Sequence, residues 1–313
     1  MAHEKHTAPE EGERQVSGGA RDPATEAFLA HRGLLFTVAY EVLGSAADAE
    51  DVLQETWLRW VRADLEQVRD QRAFLVRITT RQALNRLRAV RRRREAYVGP
   101  WLPEPLLTAP DVAEDVELAE SVSMALMLVL ETLSPTERVV FVLREAFGFG
   151  YDDIAAAVAK SPAAVRQIAH RARRHVDARR PRRAVSSAEG RAVLESFRRA
   201  VETGDARALL KVLAPGVVLV SDGGGLAYAA LRPVTGADRV VRVVAGGLGR
   251  VAGRFAVEPI AVNGGPALAV RVDGELDGVM VLGVADSRVT GLYYVRNPRK
   301  LSRLTSPTPL TLR

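Results

Sequence analysis

Residues 150–176 read GYDDIAAAVAKSPAAVRQIAHRARRHV, and this stretch decides the architecture around it. Ser161 is a favoured N-cap type and Pro162 suits the first helical position, so a short helix, a tight turn and a longer helix are predicted. Val165, Ile168, Ala169, Ala172 and Val176 fall at helical spacing and form the core stripe of the second helix. Ala163, Ala164, Arg166, Gln167, His170, Arg171 and Arg174 are left facing outward. Small residues at its start let a helix enter a major groove closely, while Arg pairs with guanine and Gln with adenine. A generic helical hairpin explains the stripe and the turn but not this outward set. The segment therefore reads as a DNA-binding helix-turn-helix, with His170 a phosphate contact or a surface residue rather than a base reader.

Helical signals continue upstream. Ser134-Pro135-Thr136-Glu137 is an N-cap, a first-turn proline and a capping-box glutamate, opening a helix through Val140 and Leu143. The apolar run MALMLVL precedes it, after an acidic start with Asp111, Glu114, Asp115, Glu117 and Glu120. Nearer the N-terminus, Phe28, Leu29, Leu35, Phe36, Ala39, Val42 and Leu43 share one helix face. After Gly44-Ser45, a second helix places Ala49, Val52, Leu53, Thr56, Trp57, Trp60 and Val61 on its core side, with both tryptophans assigned to the core. Asp48, Glu50, Asp51, Gln54 and Glu55 lie opposite. A third helix carries Phe74, Leu75, Ile78, Leu84 and Leu87 and ends in RAVRRRRE. Arg81, Arg86, Arg88 and Arg91 to Arg94 cannot all face a core; they suit either phosphate neutralisation or a solvated helix end stabilised by its dipole.

Prolines 100, 103, 105 and 110 exclude regular helix from WLPEPLLTAP, which is a linker; RRPRRAVSS is a second one, self-repelling through its arginines. Beyond it, two helices (about Ser187 to Glu202 and Asp205 to Leu213) precede the strand-like runs VVLVS, FAVEPIAV, ALAVRV, GVMVLGVA and RVTGLYYV, with a helix around Asp238–Leu248 among them. That is an α+β domain with a mainly antiparallel sheet.

Composition narrows the function. The chain has 313 residues, 47% of them hydrophobic, enough for a core in each of two or three domains. It has no cysteine and five scattered histidines, so neither a disulfide framework nor a metal centre is expected. No membrane-length apolar run or apolar leader occurs, and the expectation is a soluble, cytoplasmic protein without cofactor or membrane partner. The net charge of +6 rests almost wholly on arginine, a skew that a GC-rich genome also produces.

SAADAEDVLQETWLRWV, RQALNRLRAVRRRRE and LSPTERVVFVLREAFGFGYDDIAAAVAKSPAAVRQIAHRARR, in that order and spacing, resemble the two conserved domains of an extracytoplasmic-function (ECF) sigma factor, roughly from Thr25 to Val176. WLPEP in the linker, SDGGG after the first C-terminal strand and NPRKL near the end resemble the subgroup with a fused SnoaL-like domain, an NTF2-like α+β cone. The resemblance implies a tail over 1–23, a region 2 domain over 24–96, a linker over 97–112, a region 4 domain over 113–178, a linker over 179–186, a SnoaL-like domain over 187–302 and a tail over 303–313. It implies core RNA polymerase binding, to the β′ clamp helices, through Asp48, Asp51, Gln54 and Glu55. Asn85, Arg88, Arg91 and Arg92 would meet the −10 element, and Arg166, Gln167, His170, Arg171 and Arg174 the −35 element of promoter DNA. Regulation would run through Trp101, Leu102, Pro103, Glu104, Pro105, Asp222, Gly223, Gly224, Gly225, Asn297, Pro298, Lys300 and Leu301, without a separate anti-sigma factor. Asn85 and Leu226 depart from the family, which often has an acidic residue and a lysine there.

Two alternatives stay open. One is a ligand-sensing helix-turn-helix regulator; the other is a cyclase or isomerase fused to a DNA-binding module, with Asp222 and Asp273 as acid–base residues in a pocket that binds a small molecule. No histidine follows His175 to partner either carboxylate, so the non-enzymatic reading is favoured.

Overall fold

The computed structural model describes residues 22–94, 96–109, 115–179, 186–249, 254–304 and 306–312. The first 21 residues, the acidic start at 110–114 and most of the arginine–proline linker lie outside that set.

Three helices, α1 (Pro23–Leu43), α2 (Ala46–Trp60) and α3 (Gln71–Arg94), form the first unit. Gly44 stops α1, and the Ser45 hydroxyl accepts from the Asp48 N–H to cap α2 at once, so the two helices fold back on each other. Leu35, Val38, Val42, Val52, Leu75 and Leu84 fill the space between them. Trp60 is fully buried and its indole N–H donates to the Ala24 carbonyl at 2.8 Å, while Trp57 stands edge-on to Phe28.

Helices α4 (Val116–Ser121), α5 (Met124–Glu131), α6 (Pro135–Phe141), α7 (Tyr151–Val158) and α8 (Pro162–Asp177) form the second unit. The Ser134–Glu137 capping box is formed, and α6 runs on through a wider π turn to Ala146. Between α7 and α8 the chain reverses through Ala159, a non-glycine residue at φ 55°, before Ser161 caps α8. Val165, Ile168, Ala169, Ala172 and Val176 are all buried, as the stripe requires.

The remainder comprises α9 (Ser187–Glu202), α10 (Ala206–Val212), α11 (Ala237–Leu248), α12 (Pro298–Leu301) and six strands: β1 (Leu213–Asp222), β2 (Val234–Thr235), β3 (Phe255–Val262), β4 (Gly265–Val272), β5 (Glu275–Ala285) and β6 (Arg288–Val295). Their order is β2-β1-β6-β5-β4-β3, with β1 and β6 parallel and the other pairs antiparallel. The sheet is buried on both faces, which is why β5 reads as nearly continuous apolar sequence. Leu219, Leu268, Val270, Leu282 and Leu292 pack against Val193, Leu194, Phe197 and Val240 of the domain's own helices. Ala267, Val279, Val281 and Val295, one residue out of step, pack against Leu102 of the linker and Met124 of α5. The second face is thus covered by the helical units, and this brings the interdomain residues together.

Candidate nucleic-acid interface and the interdomain clamp

On α8 the outward residues stand where the pattern puts them. Gln167, His170 and Arg174 are exposed, and their side chains make no hydrogen bond or ion pair among the described residues. Arg166 lies 5.7 Å from the Tyr151 ring centroid, and Arg171 makes a loose approach of 3.9 Å to Glu137. Arg173, outside the predicted set, is tied to Glu145 at 2.6 Å.

The arginine helix behaves differently. Arg86 pairs with both Asp48 at 2.7 Å and Asp51 at 2.5 Å, and the Gln82 amide donates to Glu55 at 2.6 Å. The predicted acidic face of α2 is therefore partly neutralised by α3, with Gln54 exposed beside it. Asn85, Arg88 and Arg92 are exposed, and no side-chain bond holds them among the described residues. Arg81 donates to the Ala156 carbonyl and Arg91 to the Leu133 carbonyl, both in the second helical unit.

Arg94 ends the series in a buried cluster. It donates to Glu131 at 2.6 Å and to the Leu43 carbonyl at 2.6 Å, and its guanidinium lies 3.4 Å from the Trp101 ring centroid. Glu131 also holds Arg138, a fully buried guanidinium that donates twice more to the Glu41 carbonyl. Burial works against the Glu131 carboxylate, but Arg138 and Arg94 outweigh it and keep its pKa below the usual range. Beside them the buried Glu41 carboxyl accepts from the Ser121 hydroxyl at 2.8 Å; burial pushes it up to about 8, against the pull of Ser121 and Arg138.

The linker is fastened along its length. Asp222, at the end of β1 with no exposed surface, accepts from the Leu102 N–H at 2.8 Å, from Lys300 at 2.6 Å and from the Tyr97 hydroxyl at 2.6 Å. Lys300 also donates to the Leu102 carbonyl and sits 4.2 Å from the Trp101 ring centroid, so that two cations, Arg94 and Lys300, lie against this ring. Burial lowers the Lys300 ammonium to about 8, against the pull of Asp222. Gly224 has φ 58°, and a Cβ there would meet the Asn297 amide nitrogen at 2.2 Å, so the glycine turn is required by close approach as well as by φ. The Asn297 amide donates to Tyr97 while its oxygen caps α12 from Pro298, bringing Lys300 and the buried Leu301 into place. Pro103 and Pro105 are buried, and the Glu104 carboxylate accepts from the Ala46 N–H at 2.9 Å and the Ser45 hydroxyl, sitting on the N-terminus of α2. Gly223 and Gly225 complete the turn, the latter against Val98.

Sequence reasoning missed Tyr97, the Glu41–Ser121–Arg138–Glu131 cluster and the packing of residues 306–312. In that last segment Leu310 is buried in the core shared by the two helical units, and the Thr311 N–H donates to the Thr37 hydroxyl of α1. Asp222 and Asp273 belong to different turns: the first is saturated by its donors, and the second is exposed, with the Arg254 N–H on it. A cleft of about 520 Å³ beside α11, lined among others by Leu210, Arg239, Arg242 and Arg288, contains neither carboxylate. Among the described residues no helix is long and apolar enough to cross a membrane, and no cluster of His, Asp or Glu is arranged to hold a metal ion.

A helical unit with an acidic and an arginine helix, joined by a clamped linker to a helix-turn-helix unit, defines a sigma-70-type protein: the Sigma-70 region 2 model matches residues 27–93 and the Sigma-70 region 4 model residues 123–176. The chain belongs to the ECF RNA polymerase sigma factor family. It is 36% identical over 294 residues to the ECF RNA polymerase sigma factor SigJ of Mycobacterium tuberculosis H37Rv, covering 88% of this chain and 92% of that one. It is 34% identical to a probable ECF RNA polymerase sigma factor SigI of strain CDC 1551, covering 90% of this chain and 96% of that one. The crystal structure of M. tuberculosis SigJ aligns with a TM-score of 0.73 at 34% identity, over 90% of this chain and 99% of the other. The sheet-rich C-terminal part, a six-stranded sheet with helices on one face, has the α+β architecture expected for it.

Proposed function

We propose that this sigma factor binds core RNA polymerase, reads a two-element promoter, and is controlled by its own C-terminal domain. The exposed part of the α2 face, with Asp51, Gln54 and Glu55, meets basic residues of the polymerase clamp. Asn85, Arg88 and Arg92 with the end of α3 engage the −10 element, and α8 enters the major groove at the −35 element. The observation that carries the regulatory part is the Asp222 clamp: it holds the linker on the C-terminal domain while Arg81 and Arg94 hold the two helical domains to each other. Two separated promoter elements cannot be read by domains in that contact, so polymerase binding must favour a different arrangement. The C-terminal domain supplies in cis what a separate anti-sigma factor would supply in trans.

Run-off transcription with purified core polymerase and genomic promoter fragments tests this reading, comparing the full chain with Asp222→Asn and Lys300→Met. Promoter-specific initiation by the full chain is expected, with altered output from both variants. Equal output from all three would remove the regulatory role, and failure of the full chain to bind core would favour a ligand-sensing helix-turn-helix regulator.

A further inference from the structure

We propose that the β3–β4 hairpin tip, Asn263-Gly264, is a buried junction that couples release of the linker to separation of the two helical domains. The proposal rests on the reading of those domains as promoter-binding units. Asn263 has no exposed surface and adopts φ 54°, and each polar atom of its side chain is engaged. Its Oδ1 accepts from the Leu106 N–H at 3.0 Å, and its own N–H donates to the Leu106 carbonyl at 2.9 Å, fixing the linker. Its Nδ2 donates to the Tyr40 hydroxyl of α1 at 2.7 Å and to the Val122 carbonyl after α4 at 2.9 Å. Tyr40 in turn donates to the Glu104 carbonyl at 2.6 Å, closing a ring through region 2 and the linker. One amide thus touches region 2, the linker and region 4.

An ordinary turn accounts for the backbone but not for this placement. The β4–β5 hairpin turns through Asp273-Gly274 with the same left-handed backbone, yet both residues are exposed and a Cβ on Gly274 would meet nothing within 4 Å. A Cβ on Gly264 would lie 2.5 Å from the Ala119 Cα, and its N–H donates to the Thr108 hydroxyl. The first hairpin is driven between the domains where the second is bathed in solvent. Because an unpaired buried amide is costly, removing region 4 takes the Val122 acceptor from Nδ2, and removing the linker takes the Leu106 donor from Oδ1 and the Glu104 acceptor from Tyr40. Departure of one part weakens the hold on the others, and the closed arrangement opens as a unit.

The chain has no cysteine, so Arg62→Cys and Ala178→Cys, both at exposed positions, admit a pair of spin labels that report the distance between region 2 and region 4 in the full chain. Asn263→Asp retains an Asp-Gly hairpin signal but exchanges the amide donors for a second acceptor opposite the Val122 carbonyl. Tyr40→Phe removes one hydroxyl and keeps the ring. The labelled parent is expected to show one short distance, and both variants a longer-distance population at least fivefold larger than the parent's. Should Asn263→Asp fail to fold by circular dichroism, Tyr40→Phe decides. Variants that keep the parent's single distance overturn the junction. Run-off transcription with the same proteins separates the two ideas: widened distances without promoter-specific initiation by any form would leave the junction standing and remove the sigma reading, while initiation with unchanged distances would do the reverse.

Discussion

Helices α3 and α8 both carry several arginines in their C-terminal halves, and the fold uses them differently. On α8, Arg166 and Arg174 remain at the surface with Gln167 and His170, on a single face that no other domain covers. On α3, Arg81, Arg91 and Arg94 each donate to a carbonyl at or just beyond the C-terminal end of another helix: Ala156 of α7, Leu133 after α5 and Leu43 of α1. Orphan carbonyls at helix ends attract cations for the same reason that phosphates do, and the planar guanidinium fork serves either partner. What separates a phosphate-binding arginine from a domain-packing one is the neighbourhood of the helix, not the arginine pattern. Arg88 and Arg92 are the residues of α3 that resemble those of α8 in exposure and lack of partners.

The largest expected effect breaks the packing side of this comparison. Glu131→Ala leaves Arg138, whose side chain is 2% exposed, and Arg94 without their shared carboxylate. Unpairing such a buried charge costs about 3–5 kcal/mol, read as a loss of unfolding free energy in urea. The salt dependence of promoter binding should not change with it. A smaller, pH-dependent effect belongs to Glu41. Its carboxyl titrates near 8 in the fold and near the ordinary 4.5 when exposed, so between those values the folded protein binds a proton that the unfolded chain does not. Stability therefore falls as pH rises from about 5 to about 8, by about 2–4 kcal/mol. Glu41→Gln should flatten that profile, and a slope unchanged by the substitution would show that other groups carry it.

These buried charges mark the limit of what the sequence discloses. The helix-turn-helix was legible because Ser161-Pro162 marks a start and the stripe from Val165 to Val176 fixes a face, both local signals. Trp101, Leu102, Asp222 and Lys300 were all named through their motifs, and the structure brings them together. Glu41 and Arg138 gave no such signal: Glu41 sits between Tyr40 and Val42 and Arg138 just before Val139-Val140, and the bonds that bury them, Glu41 to Ser121 and Arg138 to the Glu41 carbonyl, span 80 and 97 residues. Asn263-Gly264 carries a hairpin signal in its composition, but its burial depends on Tyr40 and Val122, 223 and 141 residues distant. The loss of outward arginines from α3 has the same origin, since their acceptors are carbonyls that any residue supplies.

In the proposed promoter complex, Arg166→Ala should cost about 1–3 kcal/mol and relax preference at the base pair it contacts, measured by competition binding of the holoenzyme. Arg88→Ala should instead weaken binding nearly uniformly and lower the salt slope by about one, as loss of a single phosphate contact does. If Arg166→Ala behaves like Arg88→Ala, α8 positions the protein rather than reading bases.

Arg81 supplies the finest test, because its bond to the Ala156 carbonyl lies at an exposed edge between α3 and α7. An exposed hydrogen bond contributes little net stability, so Arg81→Ala should change urea unfolding by less than about 1 kcal/mol. Its informative readout is DNA binding. As a domain-packing residue it should leave the salt slope of the holoenzyme unchanged while the free protein opens more readily. A slope lowered by about one would instead place Arg81 with Arg88, as an arginine that exchanges a helix-end carbonyl for a phosphate when the domains part. That outcome would turn the contrast between the two helices from a fixed division of labour into a switch of partners, with the carbonyls of region 4 standing in for DNA in the closed state.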